Sequence, residues 1–172
     1  IKTYWNSLLA IFISTYVTMG VLVLSGAIKF IPSQVIPISG MIASNSMVAI
    51  GLCYRHLFSK FQDQRQQVLE KLALGAPIKL ASRPILRESI KTAMQPTIDS
   101  AKTVGLVSLP GMMSGLIFAG VDPVHAIKYQ IMVTFMLLST TSLGSIFAGY
   151  LAYKHYFNSH LQLIDTTKKE EA

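Results

Sequence analysis

Apolar residues fall into four runs separated by polar stretches of very unequal length. The first run covers 5–24, with Tyr4 and Trp5 at its edge as interfacial anchors. The second covers 35–54 and stops at Arg55-His56, with Pro37 in its first turn, where a missing N–H costs little. The third, 104–119, is short and carries Leu109-Pro110-Gly111. The fourth covers 129–153 and ends at Lys154-His155. A membrane-spanning helix needs about 20 apolar residues, so the pattern predicts an all-α, polytopic membrane protein with about four spans in one transmembrane domain, 1–172. Short links join the runs at 25–33 and 120–126. The tail, 154–172, reads as polar and disordered.

The long polar stretch, 55–100, is patterned too. Phe61, Val68, Leu69, Leu72 and Ala76 recur at helical spacing. Gly75-Ala76-Pro77 should end that helix, because glycine suits a C-cap and proline cannot continue the helix. A second helix is expected from Pro84, with Leu86, Ile90 and Ala93 on one face and Arg83, Arg87 and Lys91 four residues apart on another. Pro96 is expected to break or kink it.

Composition supports the membrane reading. The chain is 51% hydrophobic and 13% charged, with mean hydropathy +0.47, whereas a soluble domain carries about 25% charged residues. The net charge of +7 could suggest nucleic acid as a partner. Its distribution argues against that, since nine Lys/Arg lie between Arg55 and Lys102, whereas the short links hold only Lys29 and, at the far edge of the second, Lys128. This is the asymmetry of the positive-inside rule, and it places the long stretch and the C-terminus in the cytoplasm. The bilayer is then the first partner. The chain starts at Ile1, almost directly on an apolar run, so an upstream part is expected. Cys53, His56 and His125 are read as singletons that complete no metal-ligand motif, and each is taken as non-catalytic.

Three stretches are distinctive: VIPISGMIASNSMVAIGLCYRHL at 35–57, PTIDSAKTVGLVSLPGMMSGLIFAG at 96–120 and IKYQIMVTFMLLST at 127–140. They resemble the FetB family of ABC-transporter permeases, bacterial iron-export permeases related to plant aluminium-tolerance permeases. The resemblance covers about 14–158, and family members carry further N-terminal spans. It implies a homodimeric permease in the inner (plasma) membrane that exports iron or a related substrate and pairs with a separate ABC ATPase subunit. This sequence has no G-x-x-x-x-G-K-[ST] loop, which fits ATP chemistry residing on a partner chain. No cofactor is implied.

The resemblance gives the 68–76 segment, VLEKLALGA, the look of an ABC coupling helix, with Glu70, Leu72, Leu74, Gly75 and Ala76 as the contact residues. Lys71 and Leu72 replace the two alanines of the usual pattern. A short amphipathic helix ended by Gly-Ala-Pro makes a rigid knob that can seat in another protein's cleft. The alternative is a helix lying on the membrane surface. Asp99 and Lys102 can pair at i,i+3 as an interfacial salt bridge, or Asp99 can draw a cation at a pathway mouth. Pro110 and Gly111 mark a hinge or a broken span. Met112 and Met113 are either soft ligands or interior packing. Gly111 and Gly115 form a GxxxG pair. Asn45, inside the second run, either bonds across helices or faces a polar cavity. Gly40 and Ser44, like Gly144 and Ala148, have the four-residue spacing of small residues in packing faces.

The expected function is therefore an ABC exporter's permease, not an enzyme. A passive channel or structural membrane subunit is the alternative, as is an ABC permease for a non-metal small molecule. Nothing in the residues selects the substrate.

Overall fold

The computed structural model describes residues 2–105, 110–158, 160 and 162–164. Six α-helices follow one another: α1 (Lys2–Leu24), α2 (Pro32–Asp63), α3 (Arg65–Ala73), α4 (Ile78–Thr103), α5 (Gly111–Phe118) and α6 (Pro123–Ala152). A 3₁₀ turn, Tyr153–Tyr156, closes α6. Helix α6 is the central post, contacting α1, α2, α4 and α5.

Three helices are long and apolar enough to cross a membrane: α1, α2 and α6 with its 3₁₀ turn. They carry the first, second and fourth apolar runs. Helix α2 continues past Tyr54 to Asp63 because Leu57 and Phe61 extend its buried stripe. Helix α6 starts at Pro123, six residues before the expected span. Asp122 caps it by accepting the Val124 N–H at 3.1 Å, and proline suits the first turn.

The third run differs from expectation. It is not one continuous helix. Helix α4 ends at Thr103, and α5 begins at Gly111 with Pro110 as its N-cap. At eight residues, α5 is only about 12 Å long, against about 30 Å of hydrocarbon. Leu109 lies outside the described residues.

The polar stretch also departs from a simple loop. Helix α4 starts at Ile78, not Pro84, and passes through both Pro84 and Pro96. Both prolines are exposed, so neither ring has to be fitted into the packed core. Helix α4 runs back along α2 and α6. Ala81, Ile85, Leu86 and Ala93 pack in one cluster with Cys53, Leu57 and Phe61. Further along, Pro96, Thr97 and Ser100 share a cleft with Asn45 and Leu137. The approach to α6 is close, since a Cβ on Gly149 would lie 2.8 Å from Leu86 Cδ1.

The tail beyond α6 is ordered further than expected. Phe157 and Leu163 form an antiparallel bridge, and Ile164 N–H donates to Tyr156 O at 2.8 Å. Phe61 stacks on Tyr156 with centroids 4.4 Å apart and meets Phe157 edge-on at 5.9 Å. Across the same end, Lys60 Nζ lies 3.1 Å from Glu88 Oε1. Polar packing recurs deeper in the bundle. Ser14 and Ser46 hydroxyls meet at 3.0 Å, and Thr140 donates to Thr18 at 3.1 Å, all four residues being buried.

Candidate functional site: an exposed knob and a polar cleft

Two places combine exposed or unpaired groups with a constrained backbone. The first is the corner between α3 and α4. Val68 is buried and Leu72 half-buried, which fastens α3 to the bundle. Gly75 then adopts φ +85°, a conformation that costs a residue with a Cβ. Its N–H donates to Leu72 O at 2.9 Å, and the Ala76 N–H donates to Lys71 O at 3.0 Å. This double bond pattern is a Schellman cap, so the corner is fixed, as the Gly-Ala-Pro sequence predicts. Leu74 projects from it, 87% exposed, and Leu69 and Leu80 are also exposed. Glu70 is exposed and accepts from Gln66 Nε2 at 3.2 Å. Ala76 is half-buried. Leu80 and Pro77 share a hollow of about 460 Å³ with Lys79, Arg83 and Tyr150.

The second place is a cleft of about 360 Å³ where the third apolar run is interrupted. The end of α4 contributes Thr97, Ser100 and Thr103, and the start of α5 contributes Pro110, Gly111 and Met112. Met41 of α2 and Gln130 and Thr134 of α6 complete it. Gln130 is only 8% exposed, and its Oε1 has no partner among the described residues. Its Nε2 donates to Thr134 Oγ1 at 3.4 Å. A buried amide oxygen without a partner is costly and is expected where a ligand or water completes it.

The expected pathway residues divide between cleft and surface. Pro110, Gly111 and Met112 line the cleft, whereas Met113 is half-buried beside it. Met112 also packs against the buried cluster of Leu22, Ile42, Val133 and Met136. Asn45 Nδ2 donates to Met41 O at 2.8 Å, one turn back on its own helix, and lines a smaller hollow of about 120 Å³. Asp99 accepts from Gln95 Nε2 at 2.8 Å and lies 3.8 Å from Lys102 Nζ, on an open face. Gly144 and Ala148 are buried, with Gly144 against Ile50 and Ser46, while Gly40 and Ser44 are exposed. Gln130 and Thr134 were not among the expected residues. The signal available was a glutamine inside an apolar span.

Chemically, the cleft offers amide and hydroxyl oxygens and thioethers. No cluster of three or more His, Cys, Asp or Glu suited to a metal ion occurs among the described residues.

Comparison with known proteins narrows the setting. The family described as "Uncharacterised protein family (UPF0014)" matches residues 1–157. The chain is 60% identical over 170 residues to "Probable iron export permease protein FetB" of Escherichia coli K12, covering 99% of this chain and 66% of that protein. It is 40% identical to the rice "UPF0014 membrane protein STAR2", covering 91% of this chain and 55% of that protein. It is 37% identical to "Protein ALUMINUM SENSITIVE 3" of Arabidopsis thaliana, covering 90% and 57%. The chain therefore spans between 55% and 66% of the length of these relatives. No solved structure matches.

Proposed function

We propose a function for this chain, which belongs to the UPF0014 family of membrane proteins: it is the membrane-spanning part of an ABC exporter. A separate ATPase subunit supplies the ATP chemistry, and two copies of the permease act together in the inner membrane, with knob and C-terminus in the cytoplasm. The observation that carries the reading is the knob. Three exposed leucines surround a corner whose backbone is fixed by a Schellman cap. A rigid apolar projection on a basic, polar end of the bundle fits a partner protein's cleft. ATP-driven movement of the ATPase would reach α4 and α2 through Leu72 and Val68. The cleft at Gln130 would hold substrate where the third span is interrupted, as broken helices do in other transporters. The exposed Gly40 and Ser44, or Gly111 and Gly115, suit a seam between copies.

Identity to a relative named an iron export permease supports iron as cargo. The amide and hydroxyl groups of Gln130, Thr134, Ser100 and Thr103 in the cleft support the second reading, a cargo other than a bare metal ion. Purification from mild detergent tests the coupling. Wild-type protein should bring down a nucleotide-binding subunit, and Leu74→Asp should lose it without changing thermal stability. If wild-type protein captures no such subunit, the passive-channel alternative takes over. Labelled ferrous iron entering inverted vesicles only with ATP and the ATPase would establish the cargo.

A further inference from the structure

The outward face of α4 carries a ladder at four-residue spacing: Lys79, Arg83, Arg87, Lys91, Gln95 and Asp99. All six residues are exposed. Four-residue spacing lays them along one ridge that winds about 40° further round the helix at each step, so Lys91, Gln95 and Asp99 stay within about 80° of one another. The inner face of the same helix packs on α2 and α6, and this fixes the depth of the row. Thr97 and Ser100 share a hollow with Asn45 and Leu137, and these lie near the middle of the apolar run 35–54 and of α6. Asp99 is thus within about 3 Å of the level of Thr97 along the axis, Lys102 about 7.5 Å beyond it and Lys91 about 9 Å short of it. All fall inside a hydrocarbon core whose half-thickness is about 15 Å. The positive-inside rule accounts for Lys79, Arg83 and Arg87 nearer the knob. It does not account for a polar row that continues to mid-depth.

Ionisable groups at that depth face the bundle interior or a water-filled cavity. Among the described residues α2 and α6 lie on the other side of α4, so the row borders a space that this chain does not fill. The row is also unbalanced in sign. Glu88 is held by Lys60 and Asp99 by Lys102. Lys79, Arg83, Arg87 and Lys91 have no carboxylate partner among the described residues. The row ends beside the Gln130 cleft, to which Ser100 and Thr103 of α4 contribute. The first N–H groups of α5 also begin there, at the positive end of a helix dipole.

We infer that the outward face of α4 is the wall of a water-filled, electropositive passage, and that the species travelling along it is anionic. A metal would then move as an anionic chelate, not as a bare divalent cation, because low-dielectric walls focus the field of unpaired cations. This rests on the permease reading for its cargo, but its test needs neither ATP nor the ATPase. The full-length protein, with Cys53→Ala removing its buried thiol, would carry single cysteines at Gln95, at Thr103 or at Phe135, the last exposed on the apolar side of α6. Membrane vesicles are treated with anionic 2-sulfonatoethyl or cationic 2-trimethylammonioethyl methanethiosulfonate. Rates are divided by those for free mercaptoethanol.

Gln95→Cys and Thr103→Cys should react, and Phe135→Cys should not. The normalised anion-to-cation ratio at Gln95→Cys should be tenfold or more and fall severalfold when Arg87→Gln and Lys91→Gln are added. The inference is overturned if both reporters are as inert as Phe135→Cys, or if the ratio is one or less. Either failure would leave ATPase capture by the knob unaffected, so the two readings fail separately.

Discussion

Helices α1 and α4 both pack on α2 and α6, and both turn one face away from the bundle. The two faces differ in kind. On α1 the outward residues are Tyr4, Trp5, Leu8, Phe12 and Tyr16, with Val21 and Leu24 completing the far end. On α4 they are Lys79, Arg83, Arg87, Lys91, Gln95 and Asp99. Burial alone cannot separate these helices, because each has one packed and one open side. Only the chemistry of the open side does, and in a bilayer it distinguishes a lipid-facing helix from one that borders water. The difference also ties the two candidate sites together. Helix α4 starts at the Gly75 knob and ends at the Gln130 cleft, so it connects the proposed ATPase contact with the proposed substrate site.

The largest expected effect comes from moving charge between the two faces. Phe12→Arg should destabilise membrane insertion by about 3 kcal/mol, the scale for arginine at the centre of a span. Gln95→Arg should leave insertion and thermal stability almost unchanged. The fraction of protein integrated into membranes checks both. Equal losses would remove the contrast.

A smaller effect tests whether α4 is held rigidly against α6. Gly149→Val sets a Cβ 2.8 Å from Leu86 Cδ1, with Ile90 at 3.5 Å and Cys53 at 3.6 Å, and its two methyl groups crowd all three. Overpacking of this kind costs about 1–3 kcal/mol, read as a lower unfolding temperature in detergent, and Leu86→Ala in the same chain should recover part of the loss. No such penalty is expected at Gly40, where a Cβ meets open space.

The contrast between faces was only partly legible in the sequence. The spans now in α1, α2 and α6 stood out because unbroken apolar runs are a local signal. The Gly75 corner was equally legible, since its cap depends on residues within one turn. Helix α4 was misread at both ends. Proline discourages helix by its own sterics, but Pro84 and Pro96 are both exposed, and the packed stripe of Ala81, Ile85, Ser89 and Ala93 carries the helix past them. The cationic stripe from Arg83 to Lys91 was visible, but its depth was not, because depth is set by contact with α2 and α6. The bridge between Phe157 and Leu163 was hidden for a similar reason. It depends on Phe61 and Val68, nearly a hundred residues earlier, packing with Phe157 and Leu163. Gln130 was readable in principle. What made it a site residue was the break in the third span opposite it.

At the knob, Gly75→Ala forces a Cβ into φ +85°, at a cost of about 1–2 kcal/mol. Capture of the ATPase should weaken, while the helical content measured by circular dichroism stays constant. The smallest effect belongs to the buried hydroxyls. Thr140→Val removes the donor to Thr18 and should cost about 0.6 kcal/mol, the average for hydrogen bonds inside membrane bundles. Thr18→Val added to it should cost less than the sum of the single changes.

The most direct test places nitroxide labels, one at a time, at 8, 12 and 16 on α1 and at 91, 95 and 99 on α4 of the full-length protein in liposomes. Collision rates are then measured with oxygen, which concentrates in lipid, and with a water-soluble nickel chelate. The α1 labels should favour oxygen, and the α4 labels should favour the chelate at every depth down to Asp99. Oxygen-dominated collisions along both helices would contradict a water-filled passage beside α4.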